Sequence, residues 1–220
     1  MVLTPNMAAE DRESKEKSGF DSSDEEEGEL DLSPFQLSWL ELGTGDGEDK
    51  LGISGLPGCK FKDTWRSLEN DIKCLISEGV GEVFSLCTKG ELNKYRVPWL
   101  LNEMTGADIV VHHYPFPDGQ TPNMASLLKM VDEIQVSVRN GRKPLVHCFG
   151  GLGRSCLVAV CAMLVIDESL EAQTAIDKVR ALRGPGAIQS VKQYNYVCDF
   201  RQLYEEYKKE NETETRSISR

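Results

Sequence analysis

The sequence predicts an α/β layered domain. Short apolar strands alternate with amphipathic helices along most of the chain. One helix is apolar almost all round, which marks a buried centre, and a glycine-rich turn feeds it from a strand. At 220 residues the chain is long enough for one domain with a sizeable core.

The elements follow in order. Gln36–Leu42 has the apolar positions of a short strand, and Leu51–Ser54 those of a second, ended by Gly55 and Pro57. Thr64–Glu78 predicts a helix with Leu68, Ile72, Leu75 and Ile76 on one face and Gly79 placed to stop it. Glu82–Cys87 is a buried strand, Pro98–Glu103 a short helix with proline in its first turn, and Ile109–His113 another strand. Asn123–Arg139 is amphipathic, burying Met124, Leu127, Leu128, Val131, Ile134 and Val138. The strand Pro144–His147 leads through the glycine-rich turn into the apolar helix Ser155–Ile166. Ser169 is the expected cap of a helix through Leu182 that Gly184 ends. One last helix is expected over about Ser190–Tyr207.

Charge is unevenly spread. The net of −11 includes −8 from residues 1–31, which hold eleven acids and three bases. That segment cannot bury enough apolar surface to offset chain entropy, so a disordered acidic tail is expected over 1–31, and fraying again over 211–220. Ser22 and Ser23 precede a run of acids that suits acidophilic kinases, or merely solvates the tail. No broad basic stripe suggests a nucleic-acid partner, and no apolar run suggests a membrane span or a signal peptide. A monomer is expected, in the cytoplasm or in and around the nucleus. The seven cysteines are odd in number and form no C-x-x-C pair, so neither a disulfide framework nor a metal site is indicated.

The chemistry lies in His147–Ser155, HCFGGLGRS. Between a strand and a buried helix, the backbone N–H groups of Phe149, Gly150, Gly151, Leu152 and Gly153 can converge on an anion, above a helix N-terminus. Arg154 adds a planar two-pronged contact to a phosphate. Cys148 sits where the same dipoles stabilise a thiolate, positioned for in-line attack on phosphorus. Ser155 can donate to that thiolate when it later leaves, and His147 orients the loop. Cys87, at the end of a strand, leaves open a protective disulfide with Cys148.

The stretch resembles the signature of the protein tyrosine phosphatase superfamily, His-Cys-x-x-Gly-x-x-Arg-Ser/Thr, at positions 147, 148, 151, 154 and 155. The resemblance implies a single protein-tyrosine-phosphatase-like domain over 32–210, with a central, mostly parallel sheet flanked by helices. It also implies a phosphocysteine intermediate without a metal or cofactor. Phe116–Pro122, FPDGQTP, resembles the superfamily's mobile acid loop, with Asp118 at the acid position and phenylalanine where tyrosine-specific members have tryptophan. An ordinary Pro-Asp-Gly turn is the competing reading. Gly186–Gln193 resembles the glutamine loop that places a hydrolytic water. Gln189 is the first candidate there and Gln193 the second, with a helix cap plus a solvated glutamine as the alternative.

The size resembles the dual-specificity group, and the absence of lysine from 149–153 disfavours a lipid substrate. GCKFKD (58–63), KGELNKYRVP (89–98) and AIQSVKQYNY (187–196) resemble its kinase-associated branch. That implies a phosphorylated cyclin-dependent kinase as partner and removal of its activation-segment threonine phosphate. Lys89, Lys94 and Arg96 form either a contact for an acidic partner or a solvated basic turn. The alternatives are a binding protein that inhibits a phosphorylated kinase without turnover and, further off, a sulfur carrier of the rhodanese type.

Overall fold

The computed structural model describes residues 28–43 and 49–218. Ser22, Ser23 and most of the expected tail lie outside the described residues. Five strands form one sheet in the order β1-β2-β7-β5-β6: β1 (Leu37–Glu41), β2 (Lys50–Ser54), β5 (Val80–Ser85), β6 (Val110–His113) and β7 (Lys143–His147). Only the β1–β2 pair is antiparallel, so the sheet is mostly parallel as expected. Helices α1 (Leu68–Ser77), α2 (Lys89–Lys94) and α3 (Leu100–Gly106) belong to one hydrophobic cluster. The other contains α4 (Met124–Arg139), α5 (Arg154–Ile166), α6 (Ala172–Arg183), α7 (Val191–Cys198) and the start of α8 (Phe200–Ile218). Residues 156–164 of α5 are buried all round, which explains a sequence with no polar face. No helix among the described residues is long and apolar enough to cross a membrane.

Several boundaries differ from the sequence expectation. Thr64–Trp65 is not helical; it is strand β4, paired with β3 (Lys60–Phe61) in a small hairpin. Helix α1 starts only after Ser67, whose hydroxyl accepts from the Asn70 amide. Ser169 does not cap α6. It bonds back to Asp167, and Glu171 takes the cap position without a side-chain bond. The single last helix is two, with a break at Asp199 that precedes the buried Phe200, and the second runs to Ile218, past the expected fraying point at 211. The N-terminal boundary moves as well: Asp31 binds Arg66 at 2.7 Å, and its amide donates to the Trp65 carbonyl.

Parallel pairing decides where the site forms. Strand β7 is central, with His147 opposite Ser54 on one side and Ser85 on the other. The segments that leave β2, β5, β6 and β7 therefore emerge at one edge of the sheet, where open α/β folds bind their ligands.

Candidate active site

The catalytic loop is built by its outward-facing carbonyls. The His147 carbonyl accepts from Leu86 N, that of Phe149 from Leu56 N, and that of Leu152 from Ile188 N, all within 3.0 Å. The Gly151 carbonyl takes the Arg183 Nε–H at 3.1 Å and the Cys156 thiol at 3.4 Å. In a planar trans peptide the N–H points opposite to the C=O. Tying these carbonyls to the scaffold therefore turns the following amides toward the concave face, the arrangement an anion requires. Gly151 must be glycine: its φ is +67°, and a Cβ would stand 2.6 Å from the Ser54 carbonyl carbon. Gly153 faces the glutamine loop, where a Cβ would lie 3.0 Å from Gln189 Oε1 and 3.2 Å from Gln193 Oε1.

Cys148 is buried at the loop's base, its Sγ 3.3 Å from Ser155 Oγ. His147 is fully buried, and burial lowers its pKa to about 4, with Arg154 and His113 adding to the effect. A neutral imidazole there suits a structural part. Cys87 is buried and remains a free thiol, as does Cys148, so the two are not joined. Burial pushes the Cys87 thiol well above its ordinary range.

Arg154 is completely buried, and its guanidinium is held from several sides. Nη1 donates to the carbonyls of Leu86 and Phe116 and to Glu91 Oε2, and Nη2 pairs with Glu91 Oε1. Burial alone would favour the neutral form, but the Glu91 pair and the neighbouring Cys148 outweigh it and hold the charge firmly. Burial would likewise raise Glu91, yet the bonds from Arg154 and Thr88 leave its carboxyl below the usual range. The sequence reading missed Glu91. Its signal was the Thr88–Glu91 capping box at the start of α2, which holds the carboxylate in place for the arginine.

The acid loop follows β6. Asp118 Oδ1 lies 3.3 Å from Arg154 Nε, with its side chain 59% exposed. Gly119, at φ +71°, makes the turn in which Gln120 N donates to the Pro117 carbonyl. The start of α7 grips this turn. Ser190 Oγ donates to the Gly119 carbonyl at 2.8 Å, Lys192 Nζ donates to Gln120 Oε1, and Gln193 Nε2 donates to the Gln120 carbonyl at 3.3 Å. Gln193 is buried and tied into a capping box with Ser190, whereas Gln189 is exposed. The structure thus gathers every predicted site residue around one loop and separates the two glutamines. Ser190 was read only as the start of the last helix, and Lys192 had no signal in the sequence reading.

A buried cysteine and arginine in an amide-lined loop, at the carboxyl edge of this sheet, define a protein phosphatase of the tyrosine-phosphatase fold. Two solved structures are similar to the chain. A kinase-associated phosphatase with its catalytic-site cysteine replaced by serine is 45% identical, with a TM-score of 0.74 over 78% of this chain and 97% of that one. Tk-PTP in its active form is 29% identical, with a TM-score of 0.57 over 70% of this chain and 91% of its own. The cyclin-dependent kinase inhibitor 3 of Rattus norvegicus is 48% identical over 203 residues, 92% of this chain and 96% of that protein. The family model for cyclin-dependent kinase inhibitor 3 matches residues 10–176, and the chain belongs to that family, which makes it a dual-specificity phosphatase.

Proposed function

We propose that the protein removes phosphate from the activation-segment threonine of a cyclin-dependent kinase through a phosphocysteine intermediate. The similar kinase-associated phosphatase and the names of the family's members support the kinase as partner. The observation that carries the chemistry is the convergence on one loop of Cys148, Ser155, Arg154 and Asp118. Arg154 and the loop amides hold the phosphate. The Cys148 thiolate forms the S–P bond as the bond from phosphorus to the threonine oxygen breaks, and the departing oxygen takes a proton from the Asp118 carboxyl. Asp118, now a carboxylate, accepts a proton from a water placed beside Gln189 and Gln193. The water oxygen bonds to phosphorus, the S–P bond breaks, and the Ser155 hydroxyl stabilises the thiolate that leaves. The protein does this as a monomer in the cytoplasm or nucleus.

The test is single turnover on a phosphothreonine peptide followed by intact-mass measurement. A transient gain of one phosphoryl group, absent from Cys148→Ser, is the expected result. Release of phosphate by Cys148→Ser would overturn the covalent route. Tight peptide binding by wild type with no turnover would instead make the protein an inhibitor by occupancy.

A further inference from the structure

Beside the catalytic loop stands an aromatic wall. Phe149 stacks on Tyr95 with centroids 4.1 Å apart, and Phe61 meets both edge-on, at 5.1 Å from Tyr95 and 6.0 Å from Phe149. The wall is continuous with the site: Phe149 follows Cys148 in the chain, and the Tyr95 phenol is held above its usual range by burial first and then by Glu91 and Asp118. Cations cover its outer side. Lys62 Nζ lies 5.5 Å from the Phe61 centroid, and Lys94 Nζ lies 5.2 Å from Phe61 and 5.5 Å from Tyr95. Arg96 lies over Trp65 at 5.1 Å. All three are exposed, in a chain whose net charge is −11. Of the nearby acids, Glu91 is committed to Arg154, and Asp63 is an exposed neighbour of Lys62.

The backbone singles out two of these cations. Lys62 has φ +51° and Arg96 φ +58°, a region that glycine occupies more easily. A hairpin turn and a helix end thus keep long cationic side chains where the chain would otherwise favour none. The ammonium groups of Lys62 and Lys94 rest at the faces of Phe61 and Tyr95, on side chains that stay exposed.

We propose that Lys62 and Lys94 form an anion-accepting rim that selects protein segments with acidic side chains flanking the phosphoresidue held in the catalytic loop. The proposal rests on the phosphatase reading above and adds the chemistry of the flanking sequence. Carboxylates fit the rim better than a second phosphate. Both cations are lysine ammonium groups spread over two rings, whereas a phosphate favours a convergent arginine fork.

The experiment compares kcat/KM for three phosphothreonine peptides of one sequence, flanked by glutamates, by glutamines or by a second phosphothreonine, with an aryl phosphate alongside. Wild type should prefer the glutamate peptide over the glutamine peptide by about three- to ten-fold, with the gap closing at high salt. Lys62→Gln/Lys94→Gln should bring the ratio close to one, and Lys62→Glu/Lys94→Glu should invert it. Equal rates on the glutamate and glutamine peptides in an enzyme that turns over the aryl phosphate would overturn the rim and leave the phosphatase reading standing. A larger gain from the second phosphate than from the glutamates would overturn the choice of carboxylates. Loss of turnover on every substrate would sink the phosphatase reading itself.

Discussion

The catalytic loop and the acid loop face each other across the phosphate site, and they are held in opposite ways. The catalytic loop is buried at Cys148, Gly151 and Gly153 and exposed at Gly150, and each carbonyl that shapes it is tied to a different strand, loop or helix. The acid loop lies at the surface, and its turn is held by three bonds from the start of α7 and by one from Arg154 to the Phe116 carbonyl. The first is a fixed cradle that changes only when the fold changes. The second is held by a few bonds, of which only that from Lys192 is exposed, each contributing about 0.5–1.5 kcal/mol where neutral and about 1.5–3 kcal/mol where Lys192 or Arg154 donates. Arg154 belongs to both, because the same guanidinium touches Glu91, Phe116 and Asp118.

Changes in the cradle should have the largest effects. Cys148→Ser should abolish turnover while phosphopeptide binding, read by calorimetry, persists through the amides and Arg154. Arg154→Lys should lose much of both, since a point charge cannot replace a planar fork. Retained binding in Arg154→Lys would show that the amides suffice.

In the acid loop, Asp118→Asn should lower the rate on a phosphothreonine peptide by about a hundred- to ten-thousand-fold and on an activated aryl phosphate far less. The aryl oxygen leaves without needing the proton. Equal losses on both substrates would reduce Asp118 to a shaping role.

Glu91→Gln tests the hinge between the two regions. It keeps the side chain's size but removes the charge that orients Arg154. Misplacement of that arginine should cost about ten- to a hundred-fold in kcat/KM on every substrate, whatever the leaving group. A loss confined to poor leaving groups would mean that Glu91 acts through the acid loop.

The cradle should also carry its own pH dependence. His147 is held down at about 4, against an ordinary value of 6.5. Between those values the unfolded chain binds a proton that the folded one refuses, so stability is full above pH 6.5 and falls as pH drops toward 4. The loss approaches roughly 3 kcal/mol at its limit. Thermal melts from pH 8 to pH 4 should show the decline, and His147→Asn should flatten it. An unchanged slope in that variant would place the proton elsewhere.

The smallest effect belongs to the latch. Ser190→Ala with Lys192→Ala should slow phosphothreonine hydrolysis about two- to ten-fold and leave aryl phosphate turnover closer to wild type. Equal slowing on both would show that α7 supports the cradle instead.

The sequence by itself determined what local pattern can encode. Strand alternation, the apolar helix and the residues of HCFGGLGRS all act within a few positions of one another, so the sheet strands, α5 and the loop's chemistry were legible in the chain. Glycine at 151 and the Pro-Asp-Gly turn were local in the same sense. Only the tertiary structure brought Glu91 to Arg154, 63 positions away, and Ser190 to Gly119, 71 positions away. Neither pair leaves a periodicity or a motif, because parallel pairing at one edge of the sheet creates the contact after the elements have formed. The same holds for Asp31 on Arg66, which moved the domain's start, and for the hairpin at 60–65, where strand pairing won over a helical spacing. The sequence ranked Gln189 first and Gln193 second as the residue that places the water. The local Ser190–Gln193 capping box places Gln193 at the start of α7, but packing decided that Gln193 is buried and Gln189 exposed at the loop, because burial depends on what the rest of the chain lays over a residue.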